Sequence, residues 1–442
     1  MLRSAHSTIP FAALALALAL AVGAGGPAGA TDFEVWLVDQ SNAPGLAWGG
    51  TIHVFAGDDL MGEELAGAAA VETIDLAGAT DALCMASTGA HPVRAHMLFF
   101  NSTHTHAVLS FVASGHVVVF DAGARAPVAC VRTTPGAGGA RQAHAAFPAP
   151  DDSYLLVANQ NGKLLERIAT DYEGGLFALD PAATLDLAGC TTPSGSPCQL
   201  AGVRPDNAPI CPIVAADSRL GFVTLRGGGL LVVDATATPM RILGEYDSAT
   251  VHGNGCGGAQ AGGSMFVTSG GGTASNLAEF DVYRFPLAGY DPANPPNTPA
   301  PQVVYSDDAG HERDAHGLLV TKHGRYVWVG DRHANVIEVL DVATSARVAT
   351  IDLVGPDSDD PTPDLMDLSP SGNRAFVALR GPVPLSGDPH VATGTTPGLM
   401  VLQVDQGGRG GAVKGVVRVS RRDAEGVERA DPHAVRVRRL PE

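Results

Sequence analysis

Residues 316–353 read HGLLVTKHGRYVWVGDRHANVIEVLDVATSARVATIDL, four short β-type runs separated by turn residues. HGLLV, RYVWVGD, VIEVLDV and RVATIDL are rich in β-branched and aromatic residues, and the Gly, Asn, Asp and Ser between them are turn chemistry. One such four-stranded sheet cannot bury both of its faces by itself, so it must be stacked on others like it.

The rest of the chain supplies those others. Its second-strand runs are FEVWLVDQ, AVLSFVAS, YLLVANQN, GFVTLRGG, MFVTSGGG, YVWVGDRH and AFVALRGP, which makes seven units. Third strands such as TIHVFAG, HVVVFDA, LLVVDAT and FDVYRFP follow, then fourth strands such as VETIDLA, PVACVRT and MRILGEY. The segment 31–442 divided by seven leaves about 59 residues per unit, above the ~40 to 50 of an ordinary propeller blade, so long loops are expected. The first unit begins at its second strand, while the chain ends in DPHAVRVRRL, a lone first strand. One blade is therefore expected to be assembled from both termini, closing the ring and removing exposed sheet edges. The predicted fold class is all-β, a seven-bladed β-propeller over residues 31–442.

This pattern resembles the seven-bladed propellers grouped with the YVTN-repeat proteins and the nitrous oxide reductase N-terminal domain. Residues 316–353 carry the likeness best, with PDLMDLSPSGNRAFVAL (363–379) beside them. It is a likeness of architecture. Propellers of that reductase type hold copper with histidines at the channel mouth, so the resemblance implies copper. This chain has cysteines and a methionine where histidines are expected and no cupredoxin C-x-x-x-C-x-x-x-H run, and nitrous oxide reduction is not implied.

Composition narrows the class. The chain has 442 residues, 45% of them hydrophobic and 17% charged, enough apolar content for a packed core and too little charge for a disordered polymer. Its 54 glycines and 31 prolines suit a turn-rich β protein. The net charge is −18, and the only lysines are Lys163, Lys322 and Lys414, so no basic stripe exists for nucleic acid or an anionic membrane. Arg3, the apolar run from Phe11 to Val22 and Ala28-Gly29-Ala30 read as a cleaved secretory signal over residues 1–30; the run is too short to span a bilayer. A periplasmic or secreted protein with no membrane span after cleavage is expected. Its six cysteines are an even number, as an oxidising compartment favours. Cys190 and Cys198 enclose a compact loop and are expected to pair, and Cys84 with Cys130 is a candidate pair.

Aligned first strands place one column of unusual residues: His96, His144, Cys211, Cys256, His316, Met366 and His433. In six units, ten residues further on, stand His106, Tyr154, Gly221, Phe266, Tyr326 and Phe376, at or near the start of the second strand. First strands line the channel of a propeller and their side chains alternate, so equivalent positions form a ring at one depth. Two residues earlier stand Arg94, Gln142, Pro209, Asn254, Asp314, Asp364 and Asp431, a polar ring able to orient imidazoles. Arg226, Arg332 and Arg380 follow second strands and are expected at the same rim, either clamping an anion or pairing with Asp206, Asp314 or Asp364.

Imidazole, thiolate and thioether together suit copper first and zinc second. His433, His96 and His144 are contiguous around the ring and form the most economical site, with His316 or Met366 assisting. Cys211 and Cys256 adjoin each other and serve either as thiolates or as a disulfide. The expected function is an exported transition-metal-binding propeller, an oxidoreductase on a small molecule if it is an enzyme. The alternatives are metal storage or delivery through an exchange partner at the channel mouth, and a non-catalytic interaction propeller. A lactonase reading has no motif to support it. His104 and His106 in NSTHTH fall at the opposite face as a solvated turn.

Overall fold

The computed structural model describes residues 32–63, 65, 67–270, 278–291, 293–296, 298–307, 313–385 and 392–441. The leader expected over residues 1–30 lies outside them. The described residues form seven sheets, each built on four antiparallel strands, here lettered A to D from the innermost outward. Blades 2 to 7 begin with strand A at Ala95–Phe100, Ala143–Pro148, Pro209–Val214, Gly258–Ala261, Arg313–Val320 and Pro363–Leu368. Blade 1 takes strand A from the C-terminus, Pro432–Arg439, which pairs antiparallel with strand B, Phe33–Asp39. The seven-bladed propeller and its composite closing blade are thus as the repeat pattern implies.

Strand B is the buried heart of every blade. Phe33–Asp39, Tyr154–Asn159, Leu220–Leu225, Ser264–Ser269, Tyr326–Asp331 and Arg374–Leu379 are buried along their whole length, which explains their near-continuous apolar runs. Their side chains fill the spaces between neighbouring blades, as where Trp328, Val377 and Met400 pack together. Strand D is partly exposed in blades 2 and 6, as an outer edge should be, and largely buried in blade 4.

Strand A carries a bulge in every blade but the fifth. The pairing steps from Ala95 to Leu98, Ala143 to Ala145, Pro209 to Pro212, Ala315 to Leu318 and Pro363 to Met366, and from Ala434 to Pro432, each time with one residue more on strand A than on strand B. Hydroxyls from the fifth residue of strand B brace three of the inter-blade joints. Ser110 accepts from the Met97 amide at 3.2 Å and donates to the His144 carbonyl at 3.0 Å. Thr224 does the same between Cys211 and Gly255, and Thr268 between Gly257 and His316. Packing at the channel is so close that a Cβ on Gly317 would sit 2.1 Å from the Asp364 carbonyl oxygen, which only glycine avoids.

Three disulfides are present: Cys84–Cys130, Cys190–Cys198 and Cys211–Cys256. Cys84 sits on a helix, Asp81–Thr88, in the connection from blade 1 to blade 2, an element that the strand pattern does not announce. Among the described residues no helix is long and apolar enough to cross a membrane.

Candidate metal centre

The residue after strand B fixes where each inner strand meets the channel. The amides of Gln40, Val112, Gln160, Arg226, Arg332 and Arg380 donate to the carbonyls of Asp431, Arg94, Gln142, Ala208, Asp314 and Thr362. Two residues beyond each acceptor stand His433, His96, His144, Ile210, His316 and Asp364. That is the ring as the backbone defines it, and it corrects the aligned column in two blades. In blade 7 the ring residue is Asp364, not Met366. In blade 4 it is Ile210, not Cys211.

Met366 lies beyond the bulge, at the register position of Leu98 and Leu318, and packs between blades against Trp328, Val377 and Met400. It does not line the channel cavity. The missed signal is in the strand boundaries: blade 4 begins strand B at Leu220 and blade 7 at Arg374, and ten residues before each stand Ile210 and Asp364.

The corrected ring puts five donors on five consecutive blades: His316, Asp364, His433, His96 and His144. Donor atoms of His316, Asp364 and His433 all lie within 4.8 Å of one another. Asp364 Oδ2 accepts from His433 Nδ1 at 2.7 Å and from Arg380 Nη1 at 3.0 Å. His316 Nε2 stands 2.9 Å from Asp364 Oδ1, out of hydrogen-bond alignment, and both atoms, like His433 Nε2, are buried without a hydrogen-bond partner. His96 stacks on His433 with ring centres 3.9 Å apart, and its Nε2 faces His144 Nε2 at 3.3 Å. Gln40 Oε1, already accepting from Arg94 Nε at 3.2 Å, accepts a hydrogen bond from His96 Nδ1–H at 3.3 Å, which leaves Nε2 with its lone pair.

Burial keeps His96, His144 and His433 neutral. It drives His144 down to about 3 and His433 to about 4, against an ordinary 6.5, although Asp364 pulls His433 upward. His96 is held well below its ordinary value by burial and then by His433 and His144. Burial alone would raise Asp364, but His433 and His316 outweigh it and hold the carboxyl well below the usual range. Neutral imidazoles beside an ionised carboxylate are the ligand forms that a metal needs.

The arginines of the rim are engaged with carboxylates. Arg380 forms a two-pronged pair with Asp431 at 2.7 and 2.9 Å, Arg332 binds Asp314 at 2.7 Å, and Arg226 binds Asp206 at 2.6 Å and Asn161 at 3.2 Å. Asp431 and Asp314 thereby anchor the rim two residues from His433 and His316. Arg94, Gln142, Asn254, Arg332 and Arg380 line the mouth of a cavity of about 100 Å³ whose wall includes His96, His144, His316 and His433. Such a polar space has room for ordered water or a partly hydrated ion.

Cys256 lines the same cavity, and its disulfide to Cys211 joins blades 5 and 4. In that state neither cysteine offers a thiolate. Imidazole nitrogens and a carboxylate oxygen remain, a set that fits zinc or Cu(II).

No protein-family model and no curated protein matches the chain. Solved structures do. A protein from Lactobacillus plantarum is 12% identical at a TM-score of 0.57, covering 92% of this chain and 99% of its own. A functionally unknown protein from Desulfotomaculum acetoxidans is 12% identical at 0.53, covering 92% and 98%. The periplasmic gluconolactonase of Pseudomonas aeruginosa is 15% identical at 0.52, covering 92% and 100%. At these identities the likeness establishes a shared propeller fold, and the chemistry of this channel rests on its own residues.

Proposed function

We propose that this chain is an exported metal-binding propeller that holds a divalent transition metal at the arc His316, Asp364, His433, His96 and His144, and passes it on rather than turning over a substrate. One observation supports the reading: four imidazoles and a carboxylate from five consecutive blades converge at the channel, with donor atoms of His316, Asp364 and His433 within 4.8 Å of one another and His433 Nε2 buried without a hydrogen bond. Leaving His433 Nε2 buried without a partner costs ~1 to 3 kcal/mol, a cost that metal coordination would remove. Zn(II) comes first and Cu(II) second, because the thioether and thiolates that favour copper do not reach the arc in the oxidised chain. Zinc would be held by the imidazole nitrogens, with Asp364 orienting His433 through Nδ1 as carboxylates do for metal-bound histidines. Three disulfides are compatible with an oxidising compartment, and the leader at residues 1–30 belongs to the same proposal. The Pseudomonas aeruginosa lactonase shares the fold alone, so lactone hydrolysis is not carried over.

The test is metal titration of chelator-stripped protein, followed by calorimetry and by mass spectrometry of bound metal. One tightly held Zn(II) or Cu(II) per chain is expected, lost in the pair H316A/H433A and weakened in H96A/H144A. Wild-type protein that stays metal-free at micromolar metal, or the H316A/H433A variant binding as wild type does, overturns the proposal.

A further inference from the structure

The Cys211–Cys256 disulfide is set where a crosslink is not needed to hold the blades together. The joint between blades 4 and 5 is already bridged by Thr224 Oγ1, which accepts from the Cys211 amide at 3.1 Å and donates to the Gly255 carbonyl at 2.5 Å. The same hydroxyl bridge joins blade 2 to blade 3 through Ser110 and blade 5 to blade 6 through Thr268, where no disulfide exists. The sulfurs, moreover, face chemistry and not packing alone. One imidazole nitrogen of His144 and the two cysteine sulfurs all lie within 4.8 Å of one another, and Cys256 is part of the cavity wall. His144 is also the end member of the donor arc, its Nε2 3.3 Å from that of His96.

We infer that the Cys211–Cys256 pair is a redox-controlled metal site: on reduction, Cys211, Cys256 and His144 bind a thiophilic divalent metal that the oxidised chain cannot hold there. The inference rests on the arc being a metal centre, since His144 is shared between the two. A dithiol reductant entering the channel attacks the Cys256 sulfur, and the S–S bond breaks. The reductant leaves as its cyclic disulfide, two electrons pass to the cysteine pair, and two protons end on the thiols. Metal binding then releases those two protons as the thiolates coordinate. Two thiolates and an imidazole supply three of the four positions of a tetrahedral zinc site, and the cavity supplies room for a water at the fourth. Recruiting His144 to the sulfurs draws it from His96, so reduction shifts the ion from one side of the ring toward the other. A reducing partner at the mouth would thereby set where the metal sits and how firmly it is held.

The experiment uses the full chain, treated anaerobically with a dithiol, freed of it by gel filtration and titrated with cobalt(II) chloride. A thiolate-to-cobalt charge-transfer band is expected in the near ultraviolet for the reduced protein and not for the oxidised protein. The band should be absent in C211S/C256S and at least tenfold weaker in affinity in H144A. Because the other two disulfides are reduced as well, a chain with Cys84, Cys130, Cys190 and Cys198 replaced by serine should still give the band if it folds. The ordinary d–d absorption of cobalt in the oxidised protein reports the arc separately. If that absorption appears but reduction adds no charge-transfer band in protein whose circular dichroism is native, this inference fails while the arc stands. If neither appears, both fail. A band that survives in C211S/C256S assigns the sulfur ligands to another pair and also overturns the inference.

Discussion

Asp364 takes a proton from no one and a hydrogen bond from two directions: His433 Nδ1 and Arg380 Nη1 both point at Oδ2, leaving Oδ1 toward His316. Replacing it by asparagine keeps the shape but removes the charge that fixes the His433 tautomer. D364N is expected to lower zinc affinity about 10- to 100-fold, read by competition with a fluorescent chelator. The histidines also predict a pH dependence. His144 and His433 titrate near 3 and 4 when folded and near 6.5 when unfolded, so below 6.5 the unfolded chain binds protons that the native chain refuses. Metal-free protein should therefore be most stable above 6.5 and lose stability progressively as pH falls toward 4, measured by urea unfolding; H144Q should flatten that slope. A profile that is level from 7 to 4 would remove the case for neutral buried rings. At this scale the sequence was informative where residue type and spacing agreed, as for His96, His144, His316 and His433. It misled at Met366, because a sulfur two residues along looked more like a ligand than the aspartate that the backbone turns inward.

The strand-A bulge shapes much of the geometry, while the Met366 error comes from where strand B of blade 7 begins. An extra residue on one strand changes which side chain faces the channel, yet leaves no trace in an apolar pattern, whereas the buried strand B is legible as an uninterrupted run. The start of strand B, not its middle, was the reliable ruler. The hydroxyl braces are similarly hidden: Ser110, Thr224 and Thr268 read as ordinary strand residues until the neighbouring blade's carbonyl is in place. T224V deletes one brace while keeping the side-chain shape. It should cost about 1 to 3 kcal/mol by leaving the Cys211 amide and the Gly255 carbonyl short of a partner. Chemical denaturation of T224V beside wild type checks this, and an unchanged midpoint would show that water replaces the bridge.

For the whole molecule, the seven-fold repeat could be read from the second-strand runs and the composite blade from an unpaired first strand and an unpaired second strand, which have one economical solution. The closing strand Pro432–Arg439 lies between Phe33–Asp39 and the channel, and Arg438 is paired with Glu34 at 3.1 Å. A chain ending at residue 430 is expected to expose the inner edge of blade 1 and to aggregate. Sedimentation and light scattering of the purified truncation would show it, and a monomeric, cooperatively unfolding product would contradict it.

That closing strand also delivers His433, the residue through which the carboxylate side of the arc meets His96. The five ring residues span positions 96 to 433, so the cluster is complete only once Pro432–Arg439 has paired with Phe33–Asp39. The proposed ion capture must therefore wait until the circle has shut, which makes an empty, half-closed ring unable to hold its cargo.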